Sequence, residues 1–503
     1  MLFSWELLGQ GFANALTLQN LLFALIGSLI GTLVGVLPGI GPTSGIAILL
    51  PLTTVLPPAP AIIMMAAIYY GAMYGGSTTA IVVNIPGEAA SVPTALDGYE
   101  LAKQGRAGPA LGIAAISSFV AGTLSLIGVT FFAPALAGVA LAFGPPEYFA
   151  LMFMALSLVV SLSEKALLKG LAGMVAGLMF SLIGMDPISG TTRLTFGFSQ
   201  LIAGVNFIAV VIGLFAFGEI FINLETQLTH IYDTKIKNFL PTRQDIKDTW
   251  VTMIRSTFVG FFMGLLPGCG PAVSTFVAYD VEKRFAKDPK RFGHGAMEGV
   301  AGPEGANNAG SSAQFIPLLA LGIPPGPVMA MLLGALMMYG IQPGPRLWTE
   351  QPQLVWAVIA SMYIGNVMLL VLNLPLVGFW ARIAFIPFPI LGPLIVVFSL
   401  IGAYSVRYLL FDVWVSLLFG VIGYLMRKFG YPLAPVVLAT ILAQPLEIAL
   451  KQALAISAGS YAIFFSRPLA LGFMLLAFGV ILRGLWVQYR NRRLEFAEED
   501  PDA

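Results

Sequence analysis

Charge is what this sequence has least of. Only 10% of its 503 residues are Asp, Glu, Lys or Arg, whereas soluble proteins carry about 25%. The 26 basic and 25 acidic residues leave a net charge of +1, so no basic surface for nucleic acid is expected. Together with a hydrophobic content of 57%, this deficit of charge indicates a membrane protein with many spans.

Cysteine and histidine are nearly absent as well. Cys269 is the one cysteine, which excludes a disulfide within the chain and a cysteine-bound zinc site. His230 and His294 are the only histidines, so no histidine-bound metal or redox centre is expected. The sequence also lacks a Walker loop and any nucleophile–base set. We therefore predict a protein that is not an enzyme and that holds no cofactor, with Na⁺ as the one ion considered.

Long apolar runs lie on both sides of a polar segment. A helix needs about 20 apolar residues to cross a bilayer, and such runs fill most of the chain. We predict an all-α polytopic membrane protein with a first transmembrane repeat at 1–228, a polar linker at 229–248, a second repeat at 249–488 and a charged tail at 489–503. Because that tail is rich in arginine, the positive-inside rule predicts a cytoplasmic C-terminus.

One Pro-Gly motif occurs twice. Residues 35–42 read Gly-Val-Leu-Pro-Gly-Ile-Gly-Pro, and residues 264–271 read Gly-Leu-Leu-Pro-Gly-Cys-Gly-Pro. Each copy ends an apolar helix. A helix broken inside a membrane leaves backbone groups without partners, and it survives only where protein or a wet cavity satisfies them. Two such breaks at matching places in two halves indicate a transporter binding site.

Each half also has a segment of small polar residues that leads to Ile-Pro. In the first half it occupies 75–80 and 84–87, and in the second 310–313 and 322–326. We therefore predict homologous repeats, each with a broken helix and a re-entrant hairpin, and by analogy with other transporters we expect them to be inverted. Taken singly, each motif has an alternative interpretation as a helix kink or as close helix packing.

These segments supply candidate ligands for a carboxylate. Glycine lets the backbone approach a ligand closely, and amides at a helix start together with hydroxyls suit an anion. The predicted substrate-binding residues are Gly39, Gly41, Thr43, Ser44, Ser77, Thr78, Thr79, Asn84, Gly268, Gly270, Ser274, Thr275, Ser311 and Ser312.

A coupling cation would need oxygen ligands. Carboxylates and amides supply them to hard cations, and both are costly in an apolar segment unless they have a role. We predict this site at Glu304, Asn307, Asn308 and Gln314. Because proline cannot continue a helix and glycine accepts unusual backbone angles, we predict hairpin and hinge positions at Pro38, Pro86, Gly87, Pro267, Gly322 and Pro324.

The same motifs resemble the TctA family, the large membrane subunit of tripartite tricarboxylate transporters. The resemblance covers about residues 15–490 and departs at Pro325, where glycine would directly follow Ile-Pro. The matching stretches are 35–42, 74–80, 84–87, 97–99 and 105–108 in the first half and 264–271, 279–283, 299–304, 307–308 and 321–324 in the second.

The resemblance implies a multi-pass permease of the bacterial inner (cytoplasmic) membrane. A TctC-like periplasmic solute-binding protein would deliver an organic carboxylate of the tricarboxylate or dicarboxylate class. A TctB-like small membrane subunit would complete the complex. Uptake would be secondary active symport driven by Na⁺ or H⁺.

From the residues we expect alternating access, with the two broken hairpins meeting near the bilayer midplane and an elevator motion favoured over rocking. Two alternatives stay open. A passive anion channel would give flux without accumulation. An intramembrane enzyme would use Glu298, His294 and Glu304 and would open towards lipid. The identity of the carboxylate, the coupling ion and the oligomeric state are not fixed by the sequence.

Overall fold

The computed structural model describes residues 3–37, 41–161, 167–225, 240–383 and 388–499. The chain is 80% helical. The helices of the first half are α1 (Trp5–Ala15), α2 (Leu18–Val36), α3 (Gly41–Thr53), α4 (Pro58–Val83), α5 (Val92–Lys103), α6 (Ala107–Ala140), α7 (Pro145–Ser161), α8 (Leu167–Ser181), α9 (Phe207–Val211) and α10 (Gly218–Glu225). A π-helix at Ile212–Phe217 joins α9 to α10, and short 3₁₀ turns occupy Ala89–Ser91, Ser199–Leu201 and Pro289–Arg291.

The second half continues the helical pattern. Its helices are α11 (Arg243–Leu265), α12 (Pro271–Phe285), α13 (Glu298–Ala313), α14 (Phe315–Leu321), α15 (Pro327–Met338), α16 (Leu347–Glu350), α17 (Pro352–Asn373), α18 (Val377–Ile383), α19 (Phe388–Ser405), α20 (Leu410–Lys428), α21 (Leu433–Ile456), α22 (Ile463–Ser466) and α23 (Pro468–Glu499). The described residues contain one small antiparallel hairpin, β1 (Gly184–Met185) with β2 (Thr192–Arg193).

Several helices are built to cross a membrane. In the described part of the chain, seven are long and apolar enough to do so, which confirms the prediction of an all-α polytopic membrane protein. The seven are Leu18–Val36, Ala107–Ala140, Phe207–Glu225, Pro352–Asn373, Leu410–Lys428, Leu433–Ile456 and Pro468–Gln488.

Two helices extend into the segments that the sequence analysis assigned to the linker and the tail. α11 begins at Arg243, inside the predicted linker, because Thr242 caps it: the Thr242 hydroxyl accepts from the Asp245 N–H, and the Asp245 carboxylate accepts from Thr242 in return. α23 runs on to Glu499, through the start of the predicted tail. Of the predicted linker, residues 229–239 lie outside the described part of the chain.

Glycines bring two pairs of helices into backbone contact. α2 packs on α4, and α11 packs on α13. A Cβ built on any of four glycines would lie 2.2–2.4 Å from a carbonyl oxygen of the partner helix, so only glycine permits this approach. The contacts are Gly31 with Ile68 and Gly35 with Ala72 between α2 and α4, and Gly260 with Ala306 and Gly264 with Gly310 between α11 and α13.

The order of these contacts gives the helix directions. Residue numbers rise together within each pair, so α2 is parallel to α4 and α11 is parallel to α13. α4 and α13 are antiparallel, since residue numbers fall along α4 as they rise along α13 in successive contacts. Those contacts are Ser77 with Glu304, the Met73 carbonyl with Asn307, and Tyr69 with Gln314.

Charged side chains mark two opposite ends of the helix bundle. At one end, which we call the linker end, Arg106 before α6 pairs with Asp245 at the start of α11 (2.5 Å). α6 leads away from this end and α7 returns to it. There Lys169 of α8 donates to the Phe429 carbonyl just after α20 (2.6 Å).

The opposite end, which we call the hairpin end, carries the β1–β2 hairpin. Lys451 of α21 donates to Asp186 in the hairpin (2.5 Å), and Arg467 before α23 pairs with Glu147 at the start of α7 (3.3 Å). The Lys451 ammonium and the Ile188 N–H hold the pKa of the Asp186 carboxyl well below its usual range. This ion pair therefore stays charged at neutral pH.

Candidate functional site

A cavity of about 720 Å³ lies where the two Pro-Gly breaks meet. Both breaks and both hairpin tips contribute to its wall, although they are far apart in the chain. The predicted site residues that line it are Gly41, Thr43, Ser44, Pro86, Gly87, Gly268, Gly270 and Gln314. Pro38 and Gly39 lie outside the described residues.

Helix starts converge on this cavity. Its wall includes the first residues of α3, α12 and α15, together with the 3₁₀ turn that leads into α5. α12 and α15 each begin with proline after a glycine, Gly270 and Gly326, that offers no capping side chain. Because the first N–H groups of a helix have no partner within it, several converging starts create a positive potential. Such a cavity favours an anion.

The second break and the second hairpin tip are held together. The Gly268 N–H donates to the Pro325 carbonyl (2.8 Å), and the Gly268 φ of +83° is a value that glycine adopts readily. Gln314 lies between the two segments, since a Cβ on Gly270 would be 3.0 Å from its Nε2. Tyr69 donates to Gln314 Oε1 (2.7 Å), which leaves Nε2 as a donor at the cavity wall.

The first break is held in a different way. Ser44 in the first turn of α3 donates to the Phe215 carbonyl of the π-helix (3.3 Å). The first hairpin tip lies directly against the helix before the break, because a Cβ on Gly87 would be 1.9 Å from the Gly35 carbonyl oxygen. π-helical turns often mark functional sites, and Phe215 itself lines the cavity.

One basic and two acidic side chains of the described residues line the cavity. Arg427 at the end of α20 donates to Glu219 of α10. Glu88 accepts from Asn307 Nδ2 (3.0 Å) and from Ser91 Oγ (3.3 Å). Among the described residues, Arg427 is the one basic side chain in the cavity wall.

Sequence reasoning missed Arg427 and Glu88 as site residues. Arg427 stands beside Lys428 at the end of a span, where basic residues are expected for topology alone. Glu88 directly follows the Pro86-Gly87 tip, and that position was the available signal.

Glu304 belongs to a second, separate polar site. Its carboxylate accepts from Ser77 (2.6 Å), Thr94 (2.5 Å) and Ser118 (3.4 Å). These donors come from α4, α5 and α6, and all are buried. A small cavity of about 20 Å³ adjoins this site and is also lined by Thr78.

The remaining predicted residues bond mainly to backbone carbonyls close by in their own helices and do not line the large cavity. Those of the first half are Thr79, which donates to the Gly76 carbonyl (3.1 Å), and Asn84, which ends α4 with φ +58°. Those of the second half are Ser274 and Thr275, which donate to the Pro271 and Ala272 carbonyls (both 2.9 Å), Asn308, which donates to the Glu304 carbonyl (3.3 Å), and Ser311 and Ser312, which both donate to the Asn308 carbonyl (3.0 and 2.9 Å).

The predicted hinge residues of the second half lie beside the large cavity. Pro267 and Pro324 are the chain neighbours of the lining residues Gly268 and Pro325. Gly322 ends α14 with φ +71°, and a Cβ there would be 2.5 Å from the Pro343 carbonyl oxygen. This position therefore needs glycine.

Comparison with known proteins identifies relatives that match nearly all or about half of the chain. An Agrobacterium vitis protein named "Uncharacterized 52.8 kDa protein in TAR-I ttuC' 3'region" is 45% identical over 495 residues, which are 98% of this chain and 99% of the relative. A second, "Uncharacterized protein in TAR-II ttuC' 3'region" from the same organism, is 45% identical over 242 residues, 48% of this chain and 100% of the relative. No solved structure matches the chain.

The family profile described as "Tripartite tricarboxylate transporter TctA family" matches residues 21–438. This family comprises transporter components and not enzymes, as the sequence analysis predicted for the chain. Since the match covers most of the 503 residues, the chain is a membrane protein of the tricarboxylate transporter type and belongs to the TctA family.

Proposed function

We propose that this chain is the large permease subunit of a binding-protein-dependent secondary active transporter. It imports an organic carboxylate of the dicarboxylate or tricarboxylate class together with Na⁺ or H⁺. The observation that carries this proposal is the 720 Å³ cavity, in which both Pro-Gly breaks, both hairpin tips and Arg427 meet. Cavities of about 300–1,000 Å³ are typical of small-molecule sites.

Arg427 supplies the charge that a carboxylate needs. A guanidinium has five N–H donors in a fixed fork, so pairing with Glu219 leaves donors for a substrate. Gln314 Nε2 and the first N–H groups that follow Pro271 in α12 and Pro327 in α15 complete the proposed set of donors. Glu88 lines the same wall as a hydrogen-bond acceptor, so we expect the substrate carboxylates to lie on the Arg427 side of the cavity.

The two halves are proposed to be inverted repeats. Gly31 and Gly35 correspond to Gly260 and Gly264, each displaced by 229 positions, and their partner residues 68 and 72 correspond to 306 and 310, each displaced by 238. One pair of helices is parallel within itself and antiparallel to the other pair. A two-fold axis in the membrane plane relates such pairs.

The linker end is proposed to face the cytoplasm of a bacterial inner membrane. Basic residues concentrate there, and α23 leads from Arg467 at the hairpin end towards the arginine-rich C-terminus. The cavity extends from mid-bundle to Arg427 and Pro432, at the linker-end termini of α20 and α21. With this orientation, we propose that the cavity opens to the cytoplasm in the described conformation, as one state of an alternating-access cycle, for which we favour an elevator motion.

The proposal includes two partners. A TctC-like periplasmic binding protein would deliver the carboxylate, and a TctB-like small subunit would complete the membrane complex. The tripartite nature of the family supports both assignments.

Uptake into proteoliposomes tests the function. Vesicles would hold this chain with its small subunit and a binding protein, and radiolabelled di- and tricarboxylates would be offered under an imposed Na⁺ or proton gradient. We expect accumulation above equilibrium that follows one gradient and collapses when an ionophore dissipates it. Equilibration without accumulation would show a channel instead, and vesicles without the binding protein serve as the control.

A further inference from the structure

The Glu304 site is a buried carboxylate without a cationic partner. Glu304 is only 1% exposed, and within the described part of the chain no lysine or arginine pairs with it. Its donors are three hydroxyls, those of Ser77, Thr94 and Ser118. Since an unpaired buried charge is strongly unfavourable, this site calls for a proton or a bound cation.

The small cavity beside Glu304 has the size of a single ion. Its volume is about 20 Å³, and roughly 10–15 Å³ suffices for one water-sized particle. Besides Glu304 it is lined by Ser77, Ser118, Tyr74 and Asn373. Together with Thr78 these residues form the polar part of the wall, and the other lining residues are apolar.

Asn373 adds an oxygen that has no partner. This residue is 6% exposed, and its Nδ2 donates to the Leu369 carbonyl of its own helix (2.9 Å). Among the described residues, nothing donates a hydrogen bond to its Oδ1. A buried amide oxygen without a donor is rare and calls for a ligand that accepts its lone pair.

We propose that the small cavity binds one monovalent cation of the size of Na⁺. The Glu304 carboxylate, the Ser77 and Ser118 hydroxyls and Asn373 Oδ1 are its ligands. A single carboxylate balances a single positive charge, and hydroxyls that now donate to Glu304 have lone pairs to offer when they turn. Hard cations prefer such oxygen donors.

This assignment rests on the proposed function, in which the bound cation is the coupling ion. It keeps Glu304 from the sequence prediction and places the other ligands elsewhere. Asn307 is engaged with Glu88, and Gln314 lies at the large cavity. Asn307 lies one turn along α13 from Glu304, so α13 and Glu88 connect the cation site to the large cavity.

Direct binding of ²²Na⁺ to the purified full chain tests the site without any transport. We expect saturable binding of one Na⁺ per chain. Glu304→Gln should abolish it, while Ser118→Ala and Asn373→Leu should each weaken it about tenfold, the equivalent of about 1.4 kcal/mol. Ser117→Ala is the matched control, since Ser117 donates to the Ala301 carbonyl (2.6 Å) and should leave binding unchanged.

Because Na⁺ binding is measured apart from carboxylate uptake, a failure of the cation site can be distinguished from a failure of the proposed transport function. Absence of saturable Na⁺ binding to the wild-type chain at pH 6 and pH 8, or unchanged binding in both Glu304→Gln and Asn373→Leu, would overturn the site while coupled uptake could persist. Na⁺ binding that needs Glu304 and Asn373 would uphold the site even if no carboxylate were accumulated. Ser118→Ala, a small change, guards against misfolding of Glu304→Gln, and size-exclusion chromatography checks every variant.

Discussion

At the scale of single residues, two features of the large cavity attract anions. One is the general positive potential of the helix starts, and the other is a single basic side chain. Helix starts provide a positive potential without selecting a particular ligand. Arg427 adds a planar fork of donors at the linker end of the cavity, where it is paired with Glu219. Arginine binds carboxylates in this way more specifically than lysine does. Arg427 is therefore the side chain whose loss should affect substrate affinity most.

Arg427→Gln should raise the KM for carboxylate uptake about 10- to 100-fold, because a hydrogen bond to a charged group is worth about 1.5–3 kcal/mol. Lys428→Gln is the matched control, since Lys428 donates to Glu225 (2.8 Å) and does not line the cavity. The double variant with Glu219→Gln removes the unpaired carboxylate and should restore stability but not affinity. An equal KM for Arg427→Gln and Lys428→Gln would contradict this role.

At the scale of helices, the two glycine-lined pairs set the distance between the broken helix and its neighbour. Gly31→Ala and Gly260→Ala each place a Cβ 2.4 Å from a backbone carbonyl oxygen, at positions that the proposed repeat relates to each other. We expect each to lower stability by about 1–3 kcal/mol, as overpacking does. Gly479→Ala is the control, because a Cβ there has no neighbour within 4 Å. Thermal unfolding of the purified variants measures the effect. If only one of the two substitutions lowered stability, the proposal that the two helix pairs pack alike would be contradicted.

The same helices show what the sequence could predict and what it could not. The doubled Pro-Gly motif predicted a site at both breaks, because glycine and proline act on the backbone locally. Described residues of both breaks line the large cavity, and their role in binding stays a prediction. The hydroxyl residues were harder to assign. Ser311 and Ser312 bond to a carbonyl of their own helix, whereas Ser77 reaches Glu304 of another helix. Only the packing of α4 on α13 decides between these outcomes.

At the scale of the whole molecule, composition predicts the class of protein, but only the tertiary arrangement shows which distant residues meet in a site. Apolar run length predicted an all-α membrane protein, and the described spans confirm that class. Arg427 and Glu219 come from helices about 200 residues apart, and Asn373 comes from a span without any other site residue. No local pattern connects such residues. Their meeting depends on which helices are antiparallel and which ends they share.

The linker end and the hairpin end make the orientation of the molecule in the membrane testable. The lone cysteine, Cys269, can be replaced by alanine to give a background without thiols. Lys290→Cys places a thiol at the exposed linker end, and Ser460→Cys places one at the exposed hairpin end. If the linker end is cytoplasmic, a membrane-impermeant maleimide should label the Ser460 variant in intact spheroplasts and the Lys290 variant only after lysis. The reverse pattern would mean that the Arg427 end of the cavity opens to the periplasm, so the described conformation would be the one that receives substrate rather than the one that releases it.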